Sequence, residues 1–509
     1  MHGPMKKQEK LQDAIGMVGN DLIHQAKAVQ KKTVRFWRKW YTPAIATVLV
    51  LAIVVGAIYL PTRGPIKEFL TFPNIEWSDP NRPDIDPMVG FLPLGSTNAL
   101  AEAVYPDSAP FPDESKYNLE NGEWDQVNEA WYQEWQTRRK QAEQAGDISA
   151  FTQWTIQEFL KTDGNNSVYS PLNVYLALAM LAETTAGNSR AQILSLLGVE
   201  SIELLREKVT NLWESTYRND GAITTVLGNS VWLNEGISYN QETVDTLAEQ
   251  YYASSYAGDP GDERYEELLK EWLNRQTNGL LEEQTGQIKW NPEMVLTLAS
   301  TVYFQGKWAA KFQESNTAQD TFYGLSEEQI CDFMNQRVLS NYYWGDQFSA
   351  VYKPFDQGGG MWLILPDEGV ELSALLTDEQ VLQMTMDSGY KNTKNLFVNL
   401  SMPKFDVASD QQLIDGLKKL GVTDVFDASV SDFSSLCTDV PMRVTGALHT
   451  ARVLVDEEGC EAAAFTVMTA DGSTEPPDDE VDLTLDRPFL FMITSEHGIP
   501  LFAGTVYHP

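Results

Sequence analysis

The sequence predicts a mixed α+β fold preceded by one apolar N-terminal span, and three observations carry that expectation. From about Asp147 to Pro509, 363 residues, helical and strand patterns alternate without a low-complexity break. Residues 44–60, AIATVLVLAIVVGAIYL, run for 17 residues without a charge. Residues 455–488 place a Glu-Glu-Gly turn before small residues, a polar tip and a proline pair, directly upstream of the apolar run PFLFMITSEHGIPLFAGTVYHP.

The N-terminal segment, 1–43, holds nine of the chain's basic residues against Glu9, Asp13 and Asp21. It reads as a short amphipathic cytoplasmic segment. Residues 44–60 lie at the lower edge of the length that crosses a hydrocarbon core of about 30 Å. Lys31, Lys32, Arg35, Arg38 and Lys39 precede them, which orients the N-terminus to the cytoplasm and the remainder outside. Trp37, Trp40 and Tyr41 fit the interfacial aromatic belt. A cleaved signal peptide, giving a secreted protein, is the rival reading. The long preceding segment and the lack of an Ala-x-Ala site favour a single-pass, uncleaved anchor. Residues 61–146, rich in Pro, Asp and Asn at first, read as an extracellular stalk. Trp124, Val127, Trp131 and Trp135 recur at helical spacing and predict a helix near 123–144. The domain proper is 147–509.

The formal net charge is −35, and residues 44–509 carry 28 basic against 69 acidic side chains. Such a surface repels phosphate backbones and excludes nucleic acid as a partner. Cys331, Cys437 and Cys460 fit neither a disulfide framework nor a zinc motif. The five histidines, His2, His24, His449, His497 and His508, form no metal or nucleophile spacing, and no Gly-x-Ser-x-Gly or phosphate loop is present. An enzyme, a cofactor and a bound metal are therefore not expected.

Within 455–488 two readings stay open. Glu461, Ala462, Ala463 and Ala464 are good helix formers and alone would make a helical turn. Alternatively the segment stays outside the fold and later becomes a strand. Cys460, Ala462, Ala464 and Thr466 would then share one face, all small, with Phe465 and Val467 on the other.

Residues Glu457, Glu458, Gly459, Cys460, Glu461, Ala462, Ala463, Ala464, Phe465 and Thr466 resemble the loop hinge of the serpins, with Cys460 and Phe465 departing from the usual residues. Asp486-Arg487-Pro488-Phe489 and the ending Phe502 to Pro509 resemble the serpin C-terminus. Ser170-Pro171, Leu298 to Trp308 and Met402-Pro403-Lys404-Phe405 follow in family order. The resemblance implies a fold of three β-sheets and about nine helices with an exposed reactive loop. It also implies a polar shutter at Ser170, Asn173, Ser300 and His449, with the amide and a hydroxyl exchanged between helix and strand, and a breach at Trp308. The expected activity is suicide inhibition of a serine protease by a monomer. The attacked bond, 16 positions beyond Glu457, falls at Ser473-Thr474, and a small residue there suits an elastase-like or subtilisin-like enzyme. A non-inhibitory serpin acting as a surface binding module is the alternative.

Overall fold

The computed structural model describes residues 49–54 and 99–509, apart from 107, 118–121, 221–222, 278–293, 387–388 and 461–478. The expectations for 1–43, for 44–48 and 55–60 of the apolar span, and for 61–98 lie outside the described residues.

The chain folds as an α+β body with three sheets, and ten α-helices occur among the described residues. The first sheet runs in the order β13 (Phe405–Gln412), β14 (Leu448–Val455), β1 (Leu49–Val54), β7 (Leu296–Lys307), β5 (Thr224–Asn234), β6 (Ala253–Gly258) and β2 (Ala99–Ala101). Two short strands join its margins: β4 (Arg218–Asn219) on β5 and β15 (Gly459–Cys460) on β7. The other two sheets share β9 (Glu328–Trp344), whose 17 residues link them into one hydrogen-bonded path. On one part of β9 lie β8 (Ala318–Tyr323) and β12 (Thr393–Pro403), the latter paired in parallel with β16 (Glu480–Thr484). Beyond the other end follow β10 (Phe348–Pro354), β11 (Gly360–Pro366), β17 (Phe489–Thr494), β18 (Pro500–Val506) and β3 (Ser167–Tyr169). The C-terminal apolar run supplies β17 and β18, every residue of which is buried. A strand covered on both faces reads as continuous rather than alternating hydrophobicity.

The helices are α1 (Glu123–Ala145), α2 (Ser149–Phe159), α3 (Pro171–Thr184), α4 (Gly187–Leu197), α5 (Ile202–Thr216), α6 (Gln241–Gln250), α7 (Glu263–Gln276), α8 (Leu372–Leu375), α9 (Glu379–Met386) and α10 (Ile414–Lys419). All 14 residues of α3 are buried, as expected for a helix that is largely apolar on every side. It packs between β7 and β18 and begins where Ser170 accepts a hydrogen bond from the Asn173 amide, with Pro171 at the first helical position.

Two differences from the sequence expectations concern the N-terminal region. Residues 99–145 do not stand apart as a stalk: β2 extends the first sheet beside β6, and α1 packs along α5. Tyr105 sits among Trp213, Tyr217 and Tyr252, and Phe111 meets Trp131 edge-on. The reason is chemical, since a tryptophan stripe gains by covering apolar surface. Of the apolar span, Leu49–Val54 is a strand, antiparallel to both β14 and β7. Among the described residues no helix is long and apolar enough to cross a membrane. An uncharged run of Leu, Val, Ala and Ile is compatible with a central strand as well as with a helix in lipid.

Candidate functional site

The loop hinge is built at the end of β14. The Asp456 carboxylate accepts the amides of Glu458 at 3.0 Å and Gly459 at 3.2 Å, closing a tight turn. Gly459 takes a φ of +118°, and a Cβ there would lie 2.5 Å from the Trp308 nitrogen, so glycine is required on both counts. Trp308 reads the turn twice: its indole donates to the Asp456 carbonyl at 3.0 Å and its amide to the Glu458 carbonyl at 3.1 Å. Its ring stacks on Phe355, with centroids 4.9 Å apart.

Charges fasten the same turn. Glu457 accepts from Lys404 at 2.8 Å and from Thr317 at 2.7 Å. Burial by itself would raise the Glu457 pKa, but the Lys404 and Thr317 hydrogen bonds prevail and hold it below the usual carboxylate range. Glu458 pairs with Lys311 at 3.0 Å. Asp456, in contrast, is pushed up to about 7, chiefly by burial and against its two amide hydrogen bonds. Lys353 lies beneath, its Nζ 4.1 Å from the Phe312 ring centroid and donating to Ala310 O at 2.7 Å and Gln336 Oε1 at 2.8 Å; burial lowers it to about 7.

Beyond the turn, Gly459 and Cys460 pair with Lys307 and Gly306 of β7. These two residues therefore run antiparallel to β7. Glu461, Ala462, Ala463, Ala464, Phe465, Thr466 and the Ser473-Thr474 bond lie outside the described residues.

Farther along β7 and β14 sits the polar cluster. Asn173 Nδ2 donates to Ser300 Oγ on β7 at 3.1 Å, and the Ser170 amide donates to His449 Nε2 on β14 at 3.2 Å. All four residues are fully buried. Burial drives the His449 pKa down to about 3, so the ring is neutral, and Nε2 as acceptor puts the proton on Nδ1. The exchange of amide and hydroxyl between positions 173 and 300 keeps a donor facing an acceptor. Asn173 Oδ1 and His449 Nδ1 have no hydrogen-bond partner among the described residues.

The structure thus brings Glu457, Glu458, Gly459, Cys460 and Trp308 together at the hinge, and Ser170, Asn173, Ser300 and His449 at the cluster. Sequence reasoning passed over Asp456, Lys311, Thr317 and Lys353, and gave Lys404 no role at the hinge. The one available signal was Asp456 standing directly before the two glutamates.

The chain thus leaves β14 through a turn held by Trp308, Lys311 and Lys404, and a buried polar cluster joins α3 to β7 and β14. The family model described as serpin (serine protease inhibitor) matches residues 147–509, and the chain belongs to that family. It is 26% identical over 372 residues to alpha-1-antitrypsin of Meriones unguiculatus, covering 69% of this chain and 86% of the relative. With serpin-Z1C of Triticum aestivum the identity is 27% over 374 residues, covering 70% and 93%. Among solved structures, the native state of tengpin, a thermophilic serpin, superposes with a TM-score of 0.61 at 25% identity, covering 71% of this chain and 93% of tengpin.

Proposed function

We propose that the protein is a suicide inhibitor of an extracellular serine protease with a shallow primary pocket, elastase-like or subtilisin-like, held at the cell surface by residues 44–60 with its N-terminus in the cytoplasm. The protease serine attacks the Ser473 carbonyl carbon, an ester forms, and the peptide bond breaks to release Thr474 as a protonated amine. The freed loop then adds to β7 as a strand and carries the acyl-enzyme away before water can cleave the ester. The observation that carries this reading is the pairing of Gly459 and Cys460 with β7, which starts the loop in the register and direction of insertion. With Gly459 and Cys460 already paired, residues 461–473 add 13 to the ladder. At about 0.5–1.5 kcal/mol per hydrogen bond the gain is on the order of 10 kcal/mol. That rivals the whole stability of an ordinary domain, about 5–15 kcal/mol.

The test is to mix the full chain in vesicles with an elastase-like enzyme and run a denaturing gel. A covalent band and a released peptide beginning at Thr474 are expected. Ala464→Arg, which puts a charge on the inserting strand, converts the inhibitor to a substrate that is cut without a covalent band. Cleavage outside residues 468–477 in a trapped complex refutes the bond assignment. The absence of any covalent band favours a non-inhibitory surface binding module.

A further inference from the structure

We propose that residues 49–54 compete with the cleaved loop for one slot: out of the membrane they fill it and block inhibition, and in the membrane they leave it free. The proposal rests on the inhibitor reading above.

Register carries it. On β7, Gly459 stands opposite Lys307 and Cys460 opposite Gly306. An antiparallel ladder advances one residue per residue, so its continuation sets Ala462 opposite Phe304, Ala464 opposite Val302 and Val467 opposite Ala299. Those positions are held by Leu49, Leu51 and Val54. The direction agrees as well, because β1 is antiparallel to β7 on one side and to β14 on the other, where Val50 to Val54 face Arg452 to Leu448. Each of the six residues thus occupies the place that one loop residue between 462 and 467 takes on insertion.

The composition permits both destinations. A strand inside a sheet shares its backbone hydrogen bonds with neighbours, whereas a helix in lipid satisfies them within itself. An uncharged run rich in Leu, Val and Ile suits either. It cannot be in both, since 49–54 lie at the centre of 44–60.

The polar cluster supplies a second observation. Position 53 of β1 lies between Ser300 and His449. The cluster is accordingly split, with Asn173 bonded on the β7 side and Ser170 on the β14 side. Each half retains one buried atom without a partner among the described residues, the acceptor Asn173 Oδ1 and the protonated His449 Nδ1. Withdrawal of β1 lets β7 and β14 approach, and this donor and acceptor are the complementary pair left to meet.

The experiment compares the full chain with Ala52→Pro, each detergent-free and in phosphatidylcholine vesicles. Proline removes a ladder hydrogen bond from a central strand but is tolerated in a membrane helix. Without lipid, the native chain should show amides 49–54 exchanging at least ~100-fold more slowly than an unstructured peptide, and should capture under about a tenth of the protease captured in vesicles. Ala52→Pro should exchange freely and regain capture by ~10-fold or more. Fast exchange at 49–54 in the lipid-free native chain overturns the proposal. So does equal capture by the two chains without lipid, or equal protection in both, which marks aggregation. Failure of both chains to capture protease in vesicles overturns the inhibitor reading and with it the competition, while the exchange data still report occupancy.

Discussion

Asp456 is a hinge residue whose chemistry departs far from what its type shows at the surface. A buried carboxyl with a folded pKa of about 7, above its ordinary 3.8, binds a proton that the unfolded chain has already released. Its contribution to stability is therefore present at pH values below 3.8 and is lost as pH rises toward 7. Asp456→Asn keeps an oxygen for the Glu458 and Gly459 amides and removes the buried charge. The variant should melt higher than the native chain at pH 8, by an amount on the order of 2 kcal/mol, and no higher at pH 4. Thermal denaturation at the two pH values decides it, and an equal change at both would show that charge is not the cause. The glutamates, Gly459 and Trp308 were legible because their order along the chain is itself a pattern. The burial that perturbs Asp456 and Lys353 was not, because Trp308 lies against both and Phe312 against Lys353, and no local spacing records that.

At the scale of elements, α1 shows how a sequence signal can be read correctly and placed wrongly. The spacing of Trp124, Val127, Trp131 and Trp135 gives a helix, and Glu123–Ala145 is one. Its attachment to the body runs through a buried charge. Arg138 is only 3% exposed and pairs with Glu134 and, at 3.1 Å, with Glu496 in the β17–β18 turn. Glu496 also receives Arg218 at 3.1 Å, and Arg218 pairs with Asp220, which accepts from the Trp131 indole at 3.1 Å. Burial favours the neutral form of Glu496, yet the His497 ring, whose Nε2 lies 3.4 Å away, and the two guanidiniums hold its pKa below the usual range. One carboxylate thus bridges two buried cations from different elements, each of which also has its own acid, Glu134 or Asp220. Glu496→Gln removes the bridging charge while Glu134 and Asp220 still pair with Arg138 and Arg218, so it should destabilise by about 1.5–3 kcal/mol, whereas Arg138→Met leaves the Arg218–Glu496 pair intact and should lose less than half of that. Urea midpoints of the two variants measure the ratio, and equal losses would mean that Arg138 is the partner Glu496 depends on. The same logic accounts for β1: six apolar residues fix a need for cover, but sheet or lipid is settled by long-range register, which the segment itself does not encode.

For the molecule as a whole, the order of motifs from Ser170 to Pro509 made the family fold readable, since each segment keeps its place relative to the others. What fills the slot beside β7 was not readable: residues 49–54 fill it here, and under the proposed function β14 on closure and the loop after cleavage compete for it. That choice sets the energetics of the whole body. If the loop adds on the order of 10 kcal/mol of ladder, and unfolding of the 363-residue domain carries about 2 cal/mol/K per residue, the cut form should melt roughly 14 °C above the uncut form. That gain requires a vacant slot at the moment of cleavage. In vesicles, with 44–60 in lipid, the nicked chain should show it in full. Without lipid, β1 already supplies six residues of the same ladder, so nicking should raise the melting temperature by a clearly smaller step. Scanning calorimetry on intact and nicked chain in both settings gives four melting temperatures. The expected result is a large interval in vesicles and a small one without lipid. No interval in vesicles would mean that the loop stores nothing for cleavage to release, and equal intervals would mean that residues 49–54 do not contest the slot.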